Sequence, residues 1–240
     1  MTEEDAQAWL DQHRWWSTDA GDRLHRFVDL VIEESDRQNL ISASSREQIW
    51  SRHIVDSAQL HIMAEARGAA SDGLWVDLGT GAGFPGLVVA CLRDAPMHLV
   101  EVRPLRVAFL QHCVDALGLS HVKVVGAKVE RTVLPVAASV ISARAYARLD
   151  RLLVGANHLS DSSTIWLLPK GRQAENELAI AREHWQAVFH VEQSITDPES
   201  SIVTASQLAA RPAPPTRQKP ASRKVSQARR SRRPAPKARP

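Results

Sequence analysis

The residues able to do chemistry gather in one short stretch and at the end of the next apolar run. Residues 74–86 read Leu-Trp-Val-Asp-Leu-Gly-Thr-Gly-Ala-Gly-Phe-Pro-Gly. An apolar run from Leu74 to Leu78 carries Asp77 near its end and passes into alternating glycines, Gly79, Gly81 and Gly83. Such glycines let a backbone take positive φ and approach a ligand closely. A strand, a glycine turn and a helix in that order put the turn at the carboxyl end of a sheet, where open α/β proteins bind ligands. A second acid, Glu101, stands 24 residues beyond Asp77 and ends the next apolar run. A carboxylate there is placed to accept hydrogen bonds from both hydroxyls of an adenosine ribose.

Two kinds of nucleoside cofactor compete for this turn. A dinucleotide wants a third glycine where Phe84 stands, and a pyrophosphate on the helix N-terminus. Pro85 follows at the helix start, where proline is well tolerated. S-adenosylmethionine has no phosphate to hold, so a D-x-G-x-G-x-G turn with an acidic second strand suits it better. The methyl acceptor is narrowed by what the chain lacks. Exocyclic-amine methyltransferases often carry an Asn/Asp-Pro-Pro-aromatic loop after the fourth strand; here that place reads Ser142-Ala143-Arg144-Ala145. C5-pyrimidine enzymes need a nucleophilic cysteine, whereas Cys91 and Cys113 lie in apolar helical patterns that read as buried, inert thiols. The ten histidines show no zinc-like spacing. The acceptor is then already nucleophilic, or is deprotonated by a base not visible in the sequence. Guanine N7 is of the first kind, with an in-plane lone pair and no proton, and asks mainly for orientation.

The elements that must position these residues follow from periodicity. Residues 3–13 read as a short helix. Leu24, Phe27, Val28, Val31 and Ile32 recur at helical spacing over roughly 20–35. Asn39-Leu40-Ile41-Ser42 breaks that period, and Ser44 or Ser45 opens a further helical stretch through Leu60. About the first 70 residues are thus helical and precede any strand. Alternation then begins: strand 74–78, helix 84–93, strand 97–102, helix 105–117, strand 121–125, strand 139–142, helix 150–159, strand 164–168, helix 173–184, and a hairpin of 186–194 with 202–205. That order predicts a mostly parallel sheet covered on both faces.

Composition bounds the rest. The chain has 240 residues, 44% hydrophobic, enough for one α/β domain with extensions. There is no apolar run of about 18 residues and no signal-peptide pattern at the acidic start. Two cysteines that read as free thiols suit the cytoplasm. The net charge of +3 hides an asymmetry. From Arg211 to Pro240 there are eleven Lys and Arg and no acid, which leaves the preceding residues nineteen basic against twenty-seven acidic side chains, a net −8. Seven of the thirteen prolines also fall there, so a disordered basic tail over 209–240 is expected.

The motifs, taken together, resemble the RsmG (GidB) family of bacterial 16S rRNA guanine-N7 methyltransferases. The resemblance rests on Asn39-Leu40-Ile41-Ser42, Arg52-His53-Ile54-Val55-Asp56-Ser57, the Asp77–Gly86 turn, Glu101 with Arg106-Val107-Ala108-Phe109-Leu110, Val129-Glu130, Ser142-Ala143-Arg144-Ala145 and Pro169-Lys170-Gly171. It implies a Rossmann-like class I S-adenosylmethionine-dependent methyltransferase with a mostly parallel seven-stranded α/β sheet and a helical N-terminal extension. The implied layout is 1–70 packed on the core and 71–208 as the methyltransferase domain. The implied activity is methyl transfer to N7 of a guanine in the 530 loop, guanine-527 by the usual rRNA convention. The implied cofactor contacts are Asp77, Gly79, Gly81, Gly83, Phe84, Glu101, Val129, Glu130 and Arg144, with Arg144 also a catalytic candidate in an otherwise orientation-driven reaction. Arg52, His53 and Lys170 are candidate rRNA contacts, and no metal is expected. The partner would be 16S rRNA or the 30S particle, met by a cytoplasmic monomer away from membranes. Three other readings stand beside this one: a small-molecule methyltransferase, a non-catalytic ribosome-binding protein on the same scaffold, and an NAD-dependent dehydrogenase, which Phe84 disfavours. The basic tail lies outside the resemblance.

Overall fold

The computed structural model describes residues 1–212. Most of the expected tail, residues 213–240, lies outside the described residues. Four helices come first: α1 (Glu3–Asp11), α2 (Thr18–Gln38), α3 (Ala43–Arg46) and α4 (Asp56–Ala66). Their starts follow the side chains that satisfy free N–H groups. Thr2 Oγ1 accepts from Asp5 N while Asp5 Oδ2 accepts from Thr2 N, and Ser17 and Ser42 cap α2 and α3. Asn39 ends α2 in the left-handed region at φ 49°, which explains the break in periodicity at that residue. One element was not visible in the sequence. Trp50–Val55 forms a π-helical turn leading into α4, where a plain helix was expected.

The sheet contains β1 (Trp75–Leu78), β2 (Met97–Glu101), β3 (Val122–Gly126), β4 (Val140–Ser142), β5 (Ile165–Lys170), β6 (Trp185–Gln193) and β7 (Ser201–Ala210). Its order is β3-β2-β1-β4-β5-β7-β6. The first five strands are parallel, and β7 runs antiparallel between β5 and β6. The hairpin was foreseen, but the insertion of its second strand beside β5 was not. β7 also runs through Ala210, two residues into the span expected to be tail. The connecting helices are α5 (Gly86–Leu92), α6 (Pro104–Ala116), α7 (Leu149–Ala156) and α8 (Ala174–His184).

Side chains alternate across each strand, so the sheet buries two apolar layers. Trp75, Met97, Leu99, Ile165 and Leu167 join one cluster with α5, α6 and the N-terminal helices. Val76, Leu78, Val100, Trp166 and Leu168 join the other with α7 and α8. The N-terminal helices share the first cluster through Leu24, Phe27, Val31 and Ile54, all fully buried. They are therefore part of the wall beside the glycine turn. Trp75 is a core residue, as its apolar context predicts, and Trp50 packs partly buried against the same cluster.

Candidate active site

The turn after β1 is held from beneath by Asp77. This side chain is fully buried. Ser142 Oγ donates to Oδ1 at 2.6 Å, and Gly86 N donates to Oδ2 at 3.2 Å. Trp75 Nε1 donates in turn to Ser142 Oγ at 2.9 Å, so β1, β4 and the start of α5 share one buried polar chain. Burial raises the Asp77 carboxyl to about 6, against the bonds from Ser142, Thr80 and Gly86 that favour its charge. Asp77 thus shapes the turn from within the core. Gly86 takes the close-packing role of a third dinucleotide-fold glycine: a Cβ there would lie 2.4 Å from Leu99 Cδ2 and 2.8 Å from Asp77 Oδ2. Gly79, at φ 67°, leaves room for an aromatic ring, since its Cβ would meet Tyr146 Cδ2 at 2.3 Å.

Glu101 closes the second strand as expected, and its carboxylate is crowded with donors. Gly81 N and Arg103 Nη2 donate to Oε2 at 3.0 and 2.8 Å. Val102 N, Arg103 N and Arg103 Nε donate to Oε1 at 2.8, 2.9 and 3.1 Å. Burial alone would raise this carboxyl, but the Arg103 side chain, then the Arg103 and Val102 N–H groups, hold it at about 2. It is a fixed anion. A cavity of about 420 Å³ opens over it, lined by Gly79, Val100, Glu101–Arg103, Ala127–Glu130, Ala145 and Tyr146. That volume suits a nucleoside-sized ligand. Gly81 N is engaged by the carboxylate, not free to hold a phosphate, so the cradle fits a ribose-bearing ligand such as S-adenosylmethionine better than a pyrophosphate.

A second cavity, of about 390 Å³, lies on the far side of Ala145 and Tyr146, which line both. Asp56, Arg144, Arg148, Lys170, Glu177 and the 194–202 region form its walls. Arg144 is the joint between this cavity and the N-terminal helices. Its Nη1 donates to Asp56 Oδ2 at 3.2 Å and its Nη2 to His53 Nδ1 at 3.0 Å, and its guanidinium stands 5.2 Å from the Phe84 ring centroid. His53 stacks on the same Phe84 ring, with ring centroids 4.7 Å apart. A guanidinium only donates, so His53 Nδ1 accepts and its proton belongs on Nε2. Burial, then the Arg144 and Arg52 cations, lower His53 to about 3, so the ring is neutral.

The expected residues therefore divide into groups. Gly79, Glu101, Val129 and Glu130 line the first cavity. Gly81 touches it through its bond to Glu101. Gly83 and Phe84 face inward, Phe84 packing on Phe27 and His53. Arg144 and Lys170 line the second cavity. Exposed Arg52 lines a separate surface depression with Asp197 and Glu199. Among the described residues no cluster of three metal-ligating side chains occurs. The sequence reading missed Tyr146, Arg103 and Glu177. Tyr146 had a signal, being the only tyrosine of the chain and next to Ala145. The other two read as ordinary surface charges.

A family model described as rRNA small subunit methyltransferase G matches residues 21–202. The chain is 46% identical over 227 residues to a Ribosomal RNA small subunit methyltransferase G of Novosphingobium aromaticivorans, covering 93% of this chain and 97% of that one. It is 51% identical over 198 residues to the protein of the same name from Sphingopyxis alaskensis, covering 82% and 83%. Among solved structures, a SAM-dependent methyltransferase from Aquifex aeolicus superposes with a TM-score of 0.55 at 15% identity, over 72% of this chain and 97% of that one. The glycopeptide N-methyltransferase MtfA gives 0.52 at 9% identity, over 63% and 90%. These two likenesses concern the fold, and they support the class I methyltransferase architecture expected from the sequence.

Proposed function

The chain belongs to the rRNA small subunit methyltransferase G family, and from that premise we propose that this S-adenosylmethionine-dependent enzyme methylates N7 of a guanine in the 530 loop of 16S rRNA. The observation that carries the reading is the pair of cavities sharing the Ala145–Tyr146 wall, one built on a fixed carboxylate and the other on paired charges. When bound there, S-adenosylmethionine would supply an electrophilic sulfonium methyl, and a ring nitrogen such as N7, which carries a lone pair and no proton, would need no base to accept it. Glu101, a fixed carboxylate on the wall of the first cavity, would hold the ribose diol. Val129 and Glu130 flank the adenine side. Gly79 permits Tyr146 to lie over the turn and separate the two sites.

No group has to remove a proton from N7. The two carboxylates lining the second cavity, Asp56 and Glu177, are each paired with a cation, which suits such an acceptor. The chain's task is orientation, worth up to ~7–11 kcal/mol when a bimolecular step becomes intramolecular. Arg144 acts here by fixing the Phe84–His53 side of the site. Arg52, His53 and Lys170 are proposed to meet the RNA. The same reading has a cytoplasmic monomer acting on 16S rRNA or the 30S particle. No helix among the described residues is long and apolar enough to cross a membrane.

Two measurements test this. S-adenosylhomocysteine should raise the melting temperature and NAD should not, because only a ligand of the folded state stabilises it. Mapping 7-methylguanine in 16S rRNA from cells with and without the gene should show one 530-loop guanine losing its methyl. Persistence of that methyl in cells with no other enzyme for the site overturns the assignment.

A further inference from the structure

The second cavity contains a matched donor and acceptor that neither the cofactor nor the methyl transfer uses. Lys170 Nζ donates to Ala147 O at 2.7 Å and to Glu177 Oε2 at 2.9 Å. Glu177 Oε2 also accepts from Leu149 N at 2.8 Å, at the start of α7. An ammonium has three donors, so one N–H of Lys170 remains. Among the described residues Glu177 Oε1 accepts no hydrogen bond. The two side chains are only 10% and 20% exposed, and both line the cavity. One spare donor therefore stands beside one spare anionic acceptor, in a partly desolvated pocket.

We propose that Lys170 and Glu177 read the Watson–Crick edge of the target guanine, Lys170 donating to O6 and Glu177 accepting from N1–H. The proposal rests on the guanine-N7 reading above and adds the base-selecting residues. A guanine presents O6, an acceptor, next to N1–H, a donor, which is the complement of this pair. Adenine presents an amino donor to the ammonium and a lone pair to the carboxylate, unfavourable at both positions. N7 lies on the adjoining Hoogsteen edge, which shares O6, and its own lone pair takes no part in either contact. The placement agrees: Lys170 and Glu177 line only the second cavity, whereas Ala145 and Tyr146 line both. With the Watson–Crick edge against Lys170 and Glu177, the five-membered ring points past Tyr146 toward the cofactor side. A site built to bond polar groups rejects an analogue lacking them far more strongly than a hydrophobic pocket rejects a missing methylene.

The test uses the full-length enzyme on 16S rRNA carrying either guanosine or 2-aminopurine at the target position. 2-Aminopurine keeps N7 and the 2-amino group but has neither O6 nor N1–H. The wild-type enzyme should prefer guanosine by at least about a hundredfold in kcat/KM, two charged hydrogen bonds being at stake. In Glu177→Gln the amide oxygen is held by Leu149 N and Lys170 Nζ, which turns its NH2 toward N1–H, donor against donor. This variant should lose about ten- to a hundredfold on guanosine and stay within about threefold on 2-aminopurine. Lys170→Met, which removes the other half, should compress the preference in the same way. Intrinsic differences in N7 reactivity cancel, because the same two acceptors are compared across enzymes. If Glu177 serves only to anchor α7, both substrates lose activity equally and the proposal is overturned. If the wild-type enzyme forms no 7-methylguanine at all, the guanine-N7 reading itself falls and this proposal with it.

Discussion

Replacing Glu101 by Gln removes one charge and reverses one end of the most heavily bonded carboxylate in the site. Five N–H donors reach its two oxygens. An amide can keep only one oxygen. In the cheaper orientation its NH2 takes the Oε2 place, and Gly81 N and Arg103 Nη2 lose their acceptor. The part-buried Gly81 donor costs about 1–3 kcal/mol when left facing another donor. Arg103 is more than half exposed and rehydrates at little cost. The opposite orientation strands three donors and is worse. Lost charge adds to this, because the native carboxyl is held near 2 in the fold against an ordinary value of 4.5. A folded pKa below the unfolded one stabilises the protein above the ordinary carboxylate range, and that contribution disappears as pH falls from 4.5 toward 2. The expected loss is about 2–3 kcal/mol at pH 7, a melting temperature lower by about 4–12 °C for a domain of this size. The gap between variant and wild type should narrow toward pH 2. Calorimetry should show S-adenosylhomocysteine bound about ten- to a hundredfold more weakly, since the diol loses an anionic acceptor. A variant that melts within about 1 °C of wild type at pH 7 and binds the ligand equally well would refute this account of Glu101.

Gly79→Ala should cost about 1–2 kcal/mol for an L residue at φ 67°, with a further term from Tyr146. In a cycle with Tyr146→Ala, urea unfolding should show a favourable coupling of about 1 kcal/mol, and simple additivity would rule the contact out. His53 is held neutral, so its folded pKa of about 3 lies below the unfolded 6.5 and its stabilising contribution declines as pH falls below 6.5. Between pH 6.5 and 5.5 the wild type should lose about 1 kcal/mol more than His53→Gln; parallel pH profiles would show that the ring is not buried neutral. Deleting 213–240 removes ten Lys and Arg. Filter binding of 16S rRNA should then weaken at low salt and show a flatter salt dependence, since each phosphate contact contributes to that slope. Equal affinity at low and high salt would reject an RNA role for the tail.

Short apolar runs determined the parallel strands and their burial on two faces, and glycine spacing determined the turn, because both depend on near neighbours in the chain. Glu101 was legible for the same reason: the end of a second parallel strand next to such a turn is a fixed place. The motifs carried the family. The functions of several motif residues were not legible. Asp77, Gly83 and Phe84 belong to the turn's foundation, while Arg144 and Lys170 stand in the neighbouring cavity. Those outcomes needed the tertiary structure, which brings Asp56 and His53 across 88 and 91 residues to Arg144 and sets β7 between β5 and β6. A charged side chain has many acceptable partners in sequence. The one it takes is set by which groups the packed core leaves within about 3 Å of it, and no local pattern encodes that distance.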